Sequence, residues 1–456
     1  MRKRMLAGAL AICAATSTAG AQTLEIASTF TVDPSLPDGL QFGTLLVAES
    51  DRAFVGGWSE LRAVARQGDA WPPTATLLPS DQGDHRFSSM SVSGDTLVLG
   101  TSAVNTDMVA RSGAARVVRF DGIDFTDEAE ISASDPSAGQ VFGKAVAIDG
   151  DVIVVGAPGG GFSDDLGPGL AYVFRRTGTS WVEEARLTSG ETGYDGFGTS
   201  VDVKGDRLVV GAGSYDLTDY TGANAAFVFE RQGGMWAQTA RVEPELPPAD
   251  LEQSRFGLRV DLSGERMAVS GLTSAYLFVL HGLAWTQTEA FQAEPGQIFL
   301  RSIALDGDRM AVLLGENPEP IASLFALSSD GKATQALDIP SGSHNTVALR
   351  GDMVLLGPVT ADPDGKVTGY LLEESAPGPS GASASASSGA AAAGGDAADA
   401  GNEASSGCSC EVLGPAAPRS NVGLLLAVGA ILLTCRRGSV RARARLRRAE
   451  ISEKEA

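Results

Sequence analysis

The chain has 456 residues, with 56 glycines, only 6% aromatic residues and a formal net charge of −21 at pH 7. A chain of this length exceeds one ordinary compact core unless the core is repetitive. Its many glycines and short apolar runs favour an all-β fold with many turns. The acidic balance argues against nucleic acid as a partner, because nucleic-acid binding needs a basic surface.

The first 21 residues read as a secretory signal peptide. They combine a basic start with a short apolar stretch and end in small residues, and the cleavage site is predicted after Ala21. We therefore expect the chain to be exported.

A repeated pattern fills residues 22–375, and its clearest copy is FGKAVAIDGDVIVVGAP at residues 142–158. A Phe-Gly pair precedes an alternating run, a Gly-Asp turn and an all-apolar run. The turns of the successive copies lie at positions 50, 94, 150, 205, 264, 307 and 351. The resulting units of 43–59 residues match the length of a four-stranded blade. The sequence therefore predicts an all-β, seven-bladed β-propeller.

The residues of the clearest copy explain why each piece forms a strand or a turn. Val146 and Ile148 alternate with smaller or polar residues, which is typical of a strand with two different faces. Gly150 suits the positive φ of a tight hairpin. Residues 152–155 are all apolar, as expected for a strand covered on both faces. Third and fourth strands are expected at residues 169–176 and 180–187.

The last unit ends after its third strand, KVTGYLLEE, so its fourth strand is missing. Residues 23–32, TLEIASTFTV, lie where a fourth strand belongs, and we expect them to complete the last blade and close the ring. Four tryptophans stand where fourth strands begin, which favours packing between blades, with ligand stacking as the alternative: Trp71, Trp181, Trp236 and Trp285.

The Phe-Gly and Gly-Ala-Pro pairing resembles the FG-GAP repeat, known from the integrin α-subunit propeller and from bacterial surface proteins. Copies of the integrin type carry an Asp-rich calcium loop between the two motifs. In this chain that interval is a short Gly-Asp hairpin, too short to supply six to eight oxygen ligands. We therefore expect no calcium or other cofactor, with Asp362 and Asp364 as a weak alternative metal site.

A four-stranded blade places its second-to-third and fourth-to-first links on one face of the disc. These links are the long ones here, and function concentrates on loops that a rigid scaffold holds. The candidate exposed ligand contacts on this face are Phe162, Asp164, Asp165, Tyr194, Asp195, Tyr215, Asp216, Asp219 and Tyr220.

Catalytic motifs are missing from the sequence. His85, His281 and His344 fall in different units, and no HExxH, GxSxG or phosphate-binding glycine motif occurs. We therefore predict a monomeric, non-enzymatic propeller that binds an extracellular protein or polysaccharide. An exported hydrolase with its site on the long-loop face is the alternative, and a structural spacer is a third.

The C-terminal part is predicted to attach the propeller to the cell envelope. Residues 376–407 form a Ser/Ala/Gly-rich linker that lacks the apolar surface needed to fold. An apolar run at residues 421–435 precedes an arginine-rich segment. This order predicts a transmembrane helix with the propeller facing outward. A buried soluble helix is the alternative.

Residues 408–437 resemble the C-terminal sorting signal of myxobacterial surface proteins (MYXO-CTERM), in which a cysteine motif precedes a helix and arginines. The matching residues include Cys408, Cys410 and Arg436-Arg437. The resemblance implies processing near the cysteines and retention at the cell surface through a lipidated Cys408 or Cys410. A simple disulfide or idle thiols remain the alternative. Residues 438–456 form a basic and then mixed-charge tail.

Overall fold

The computed structural model of the chain describes residues 24–34, 42–58, 60–68, 70–78, 86–103, 109–159, 167–213, 222–245, 254–292, 302–314, 321–340, 344–358 and 366–374. Within these residues the strands form seven four-stranded antiparallel sheets, which are the predicted blades. The predicted signal peptide, linker, cysteine motif, transmembrane segment and tail lie outside the described residues. No helix in the described ranges is long and apolar enough to span a bilayer.

The first four blades follow one another along the chain. Blade 1 contains β2 (Leu45–Ala48), β3 (Arg52–Gly56), β4 (Leu61–Ala65) and β5 (Pro73–Leu77). Blade 2 contains β6 (Ser89–Ser93), β7 (Thr96–Thr101), β8 (Ala114–Phe120) and β9 (Phe125–Ile131). Blade 3 contains β10 (Ala145–Asp149), β11 (Val152–Ala157), β12 (Leu170–Thr177) and β13 (Ser180–Leu187). Blade 4 contains β14 (Ser200–Lys204), β15 (Arg207–Gly211), β16 (Ala226–Gln232) and β17 (Met235–Val242).

The remaining blades complete the ring. Blade 5 contains β18 (Arg259–Ser263), β19 (Arg266–Ser270), β20 (Ser274–His281) and β21 (Ala284–Gln292). Blade 6 contains β22 (Ile303–Asp306), β23 (Arg309–Leu314), β24 (Ile321–Leu327) and β25 (Ala333–Pro340). Blade 7 contains β26 (His344–Arg350), β27 (Met353–Pro358), β28 (Val367–Glu374) and the N-terminal β1 (Leu24–Val32).

The N-terminal strand closes the ring as the sequence predicts. β1 pairs antiparallel with β28, with Leu24 opposite Glu374 and Val32 opposite Val367. Across the seam to blade 1, Phe30 of β1 stacks on Trp71 with ring centroids 4.4 Å apart. The predicted role of Trp71 in packing between blades is therefore confirmed.

The hairpin turns and second strands also follow the prediction. Glycine with positive φ occupies the predicted turn of blades 2 to 7, at Gly94, Gly150, Gly205, Gly264, Gly307 and Gly351. The second strand β11 is buried along its full length. Burial of each such aliphatic side chain stabilises the ring by about 1.5–3 kcal/mol.

The two glycines of the repeat motif meet each other across the seams between blades. A Cβ added to Gly156, at the end of β11, would lie 2.0 Å from the carbonyl oxygen of Gly198 in the next blade. A Cβ on Gly211 would lie 2.2 Å from the Gly257 oxygen. The Phe-Gly and Gly-Ala-Pro motifs are therefore two halves of one contact, in which the backbones of neighbouring blades touch.

A β-bulge interrupts the ladder between the third and fourth strands of blades 2 and 3, and it directs a glutamate towards the next blade. Glu128 accepts hydrogen bonds from Arg176 and, at 3.0 Å, from Trp181 Nε1. Glu184 accepts them from Arg231 Nη2 at 2.6 Å and from Trp236 Nε1 at 3.1 Å. The predicted packing role of Trp181 and Trp236 is therefore confirmed. We call each such set, a glutamate of one blade bonded to an arginine and a tryptophan of the next blade, a latch.

Candidate functional site: the axial channel

Most of the ligand contacts predicted from sequence lie outside the described residues. These are Phe162, Asp164, Asp165, Tyr215, Asp216, Asp219 and Tyr220, and the alternative metal ligands Asp362 and Asp364 also lie there. Ala21, Cys408 and Cys410 are likewise outside the described ranges. The structure therefore places only Tyr194 and Asp195 among the predicted contacts.

Asp195 is a buried structural residue, so the prediction that it is exposed is wrong. Its side chain is 3% exposed and accepts hydrogen bonds from the backbone N–H groups of Gly169 at 2.9 Å and Phe197 at 3.0 Å. The Ser189 hydroxyl donates to the same carboxylate. These bonds fix the link that leads into blade 4. Tyr194, beside it, is half-buried.

Comparison of the units reveals why Asp195 is buried. Gln140 and Ser254 stand at the same place, two residues before Phe142 and Phe256, and both are buried. The Ser254 hydroxyl accepts the Phe256 N–H at 3.2 Å, as the Asp195 carboxylate accepts that of Phe197. A polar residue at this position anchors the entry to a blade, and alignment of the units would have shown it.

The first strands of all blades surround a channel along the axis of the propeller. The residues four positions before each turn line cavities on both sides, which makes them the waist of the channel: Leu46, Met90, Val146, Val201, Val260, Ile303 and Val347. Every member of this ring is apolar. The waist therefore divides the channel into two vestibules.

The loop-face vestibule opens where the fourth-to-first links enter the first strands, and it has a volume of about 420 Å³. Its wall carries hydroxyl side chains, two basic residues and one tryptophan: Thr44, Ser88, Ser89, Ser200, Ser302, Thr346, Lys144, Arg259 and Trp58. Ser89 and Ser200 donate their hydroxyls to the carbonyls of Gly143 and Gly257 in the next blade, at 2.8 and 2.9 Å. These hydrogen bonds between neighbouring blades fix the positions of both serine side chains.

The hairpin-face vestibule opens where the first strands turn into the second strands, and it has a volume of about 350 Å³. Charged residues line it: Glu49, Asp149, Asp202, Lys204, Asp261, Asp306 and Arg350. Lys204 lies 3.8 Å from Asp149, and Arg350 lies 3.1 Å from Asp306. Because carboxylates outnumber cations among these residues, this mouth is acidic.

Asp202 and Asp261 form a carboxyl pair in this wall, on the first strands of blades 4 and 5. Asp202 accepts the Leu262 N–H at 2.6 Å, and Asp261 accepts the Leu305 N–H at 2.8 Å. Burial within the disc raises the pKa of both groups, and the charge of Asp202 raises that of Asp261 further. Because two neighbouring carboxylates repel each other, Asp261 takes up a proton more readily than an isolated carboxyl group does.

No group of three or more His, Cys, Asp or Glu side chains in the described ranges is arranged to hold a metal ion. The channel instead offers three kinds of surface along one axis. These are a hydroxyl-rich mouth, an apolar waist and an acidic mouth that holds a protonatable carboxyl pair.

Comparison with known proteins supports the interpretation of the repeats. The FG-GAP repeat family model matches residues 125–174 and 181–229. Each match starts in the fourth strand of one blade and ends in the third strand of the next. The resemblance to FG-GAP repeats is therefore confirmed for these units, within a propeller of seven blades.

Solved structures were also found that resemble the chain. A crystal structure of a protein from Lactobacillus plantarum has 14% sequence identity and a TM-score of 0.47, covering 68% of this chain and 90% of that chain. A chain in a crystal structure of the mitotic checkpoint complex has 12% identity and a TM-score of 0.48, covering 81% of this chain and 99% of that one. No curated protein matches the chain significantly.

Proposed function

We propose that the chain is an exported, surface-anchored propeller that acts as a non-enzymatic binding module for an extracellular protein or polysaccharide. Its role would be in adhesion or in organisation of the cell envelope. The observation that carries this proposal is the closed ring, which holds a polar vestibule of about 420 Å³ at the mouth of its channel. A concave site of this size on a rigid scaffold suits recognition of a small part of a larger ligand.

The binding role is tested by screening the purified full chain against arrays of glycans, matrix proteins and envelope components. A generic hydrolase panel is run on the same preparation. We expect saturable binding to at least one component and no turnover. If the chain shows neither binding nor turnover in these screens, a structural spacer is favoured instead.

Export and anchoring are tested separately in the native cells. Protease added to intact cells is expected to digest the propeller, and removal of residues 408–456 is expected to release it into the medium. Recovery of the full-length protein from the cytosol would contradict the proposal.

A hydrolase is the second candidate because of one observation, the Asp202–Asp261 pair, although this pair lies in the hairpin-face vestibule and not on the long-loop face. Two neighbouring carboxyl groups that share a proton can act together as acid and base in a hydrolysis reaction. Turnover by the purified chain that disappears on Asp202→Asn and Asp261→Asn substitution would establish this alternative.

A further inference from the structure

The exposed apolar side chains of the propeller are unevenly distributed between its two faces. The hairpin face carries the turns between first and second strands and those between third and fourth strands. Of the seven large apolar side chains that are exposed in the described ranges, five lie at the hairpin-face end of a fourth strand: Ile26, Ile123, Val182, Met235 and Leu283. The other two, Leu78 and Ile321, lie at loop-face ends of strands.

Four of the five side chains form an arc on consecutive blades. Ile123, Val182, Met235 and Leu283 belong to blades 2, 3, 4 and 5 in that order. Ile123, Met235 and Leu283 are 77%, 74% and 94% exposed. One exposed apolar side chain is ordinary, but several that share one edge of one face indicate an interaction surface. A flat partner surface would cover all four at once.

Both ends of the propeller chain lie on the same hairpin face. The third strand β28 ends there at Glu374, which pairs with Leu24 at the start of β1. Residues 375–420 then lead to the apolar run that is predicted to enter the membrane. A flexible chain of this length spans roughly 40 Å on average. The chain therefore reaches the bilayer without passing around the disc when the hairpin face is turned towards it.

We infer that the hairpin face rests on the lipid bilayer that anchors the chain, with the side chains of the arc inserted among the lipid headgroups. This inference rests on the proposed anchoring and gives the orientation of the propeller on the membrane. The loop face, with its vestibule of about 420 Å³, then points outward to the ligand.

The spacing of the arc favours a lipid surface over a protein partner. The centre of a specific protein interface is a closely packed patch from which water is excluded. Exposed polar residues, such as Ser180 and Gln232, stand between the apolar side chains of the arc. Lipids are fluid and close around separate side chains, so a membrane surface accommodates isolated contacts that a rigid partner does not.

The charge beside the arc indicates which lipids it contacts. Asp121 and Asp124 are exposed on either side of Ile123. Anionic headgroups repel such carboxylates, and salt screens the repulsion. We therefore expect the arc to prefer zwitterionic lipid, with an attraction that comes from burial of apolar surface and not from charge.

The propeller can be tested without the apolar run at residues 421–435, which would bind vesicles by itself. Residues 1–382 form a compact unit. Every strand of the seven blades, including the closing strand β1, lies within residues 24–374. The fragment 22–382 therefore contains all the contacts that close the ring and folds on its own.

The test is co-sedimentation of this fragment with vesicles of phosphatidylcholine, alone or with added phosphatidylglycerol, at low and at physiological salt. We expect the fragment to partition into phosphatidylcholine vesicles with little dependence on salt. Added phosphatidylglycerol is expected to weaken partitioning at low salt. Binding that requires phosphatidylglycerol and falls as salt rises would overturn the inference, because attraction to charge would then be its cause.

Variants locate the contact. Met235→Ser with Leu283→Ser is expected to weaken partitioning by at least about tenfold, because two apolar side chains no longer enter the lipid. The matched control is Leu78→Ser with Ile321→Ser, which makes the same chemical change at exposed positions of the loop face. This control is expected to leave partitioning unchanged. Melting temperatures establish that all variants are folded, as expected for changes at exposed positions.

Failure of this inference is distinguishable from failure of the proposed function. If the fragment does not partition into any vesicle, or if the two double variants behave alike, the hairpin face does not rest on lipid. Release of the propeller from cells by removal of residues 408–456 would still support the proposed anchoring in that case. Recovery of the full-length protein from the cytosol would contradict the proposed function and, with it, this orientation.

Discussion

Blades 3 and 4 differ from blade 6 in how they meet their neighbours, although all three share the same strand order. At the seams of blades 3 and 4, glycine faces glycine, as in the contact of Gly156 with Gly198. At the seam between blades 5 and 6, Ser270 replaces the glycine that ends the second strand, and Leu300 replaces the glycine of the Phe-Gly pair. The repeat signature therefore marks close backbone contact between blades, whereas the blade itself forms without it.

The latches show the same difference. Glu128 and Glu184 lie at bulges of blades 2 and 3 and each bonds an arginine and a tryptophan of the next blade. In blade 4 the bulge carries Thr239, which donates its hydroxyl to the carbonyl of Val228 within the blade. The FG-GAP model matches residues 125–174 and 181–229, which include both latch glutamates, whereas Arg231 and Trp236 follow the second match.

The largest expected effect is at the closing seam, where Trp71 is 6% exposed and stacks on Phe30. We expect Trp71→Ala to lower the free energy of unfolding by about 4 kcal/mol, because it removes a buried aromatic ring and leaves a cavity. In blade 6 Ala333 occupies the corresponding position, so a seam without a tryptophan is tolerated there. Urea denaturation measures the change.

Met235→Ala is the control for that experiment, because Met235 is 74% exposed. Its effect should stay within about 0.5 kcal/mol. If Trp71→Ala costs no more than this control, the aromatic stack does not hold the ring closed.

The second-largest effect is expected at the glycine contacts between blades, and it tests whether they differ from the contact made by Ser270. We expect Gly156→Ala to cost about 3 kcal/mol, because the new Cβ would lie 2.0 Å from the Gly198 carbonyl oxygen and would force the blades apart. Ser270→Ala, at the equivalent place in blade 5, removes a hydroxyl without a hydrogen-bond partner and should cost less than about 1 kcal/mol. Equal losses in thermal unfolding would remove the distinction between the two kinds of seam.

A smaller loss is expected when a latch is removed. Glu184→Ala should cost about 2 kcal/mol at pH 7, because it leaves the side chains of Arg175, Arg231 and Trp236 without their acceptor. Burial raises the pKa of Glu184, but these hydrogen bonds outweigh burial and hold it below its usual value. The stabilisation is thus present above the pKa of the unfolded chain and is lost as the pH falls through the folded pKa.

Thr239→Ala provides the matched change at a bulge that holds no latch. Its cost should stay below about 1 kcal/mol and should not vary with pH. Denaturation curves from pH 3 to pH 7 test both variants, and a pH-independent loss in Glu184→Ala would show that charge is not its cause.

The smallest effect is a gain in stability. Burial raises the pKa of Asp261 in the folded chain, so its contribution to stability is full below the pKa of the unfolded chain and is lost as the pH rises. The Asp261→Asn variant cannot ionise, so it does not lose stability as the pH rises. Its amide oxygen can still accept the hydrogen bond from the Leu305 N–H. We expect the variant to be more stable by on the order of 1 kcal/mol at pH 8, and we expect the difference to disappear as the pH falls to about 3.

Asp149→Asn is the control for this prediction, because Asp149 lines the same vestibule beside Lys204. It should not gain stability at pH 8. A gain that is equal in both variants would point to the general negative charge of the vestibule and not to the carboxyl pair.

The blades were predictable because strand alternation and turn residues are local properties that recur along the chain. The closure by residues 24–32 followed from the missing fourth strand of the last unit, and the pairing of Leu24 with Glu374 confirms it. Asp195 was wrongly predicted to be exposed because its burial depends on the neighbouring blade. The channel was missed because its ring residues are far apart in sequence, although alignment on the turns brings all seven apolar waist positions together.

The position of β1 also determines the order in which this protein can mature. Leu24 finds its partner Glu374 only after nearly the whole propeller has been synthesised. The N-terminal segment stays unpaired throughout this time, and the edge of β28 is also open to wrong pairing with other chains until β1 docks on it. Such a long-range pairing also makes a late, slow step during folding. The last blade is therefore open to wrong pairing between the synthesis of β28 and the docking of β1.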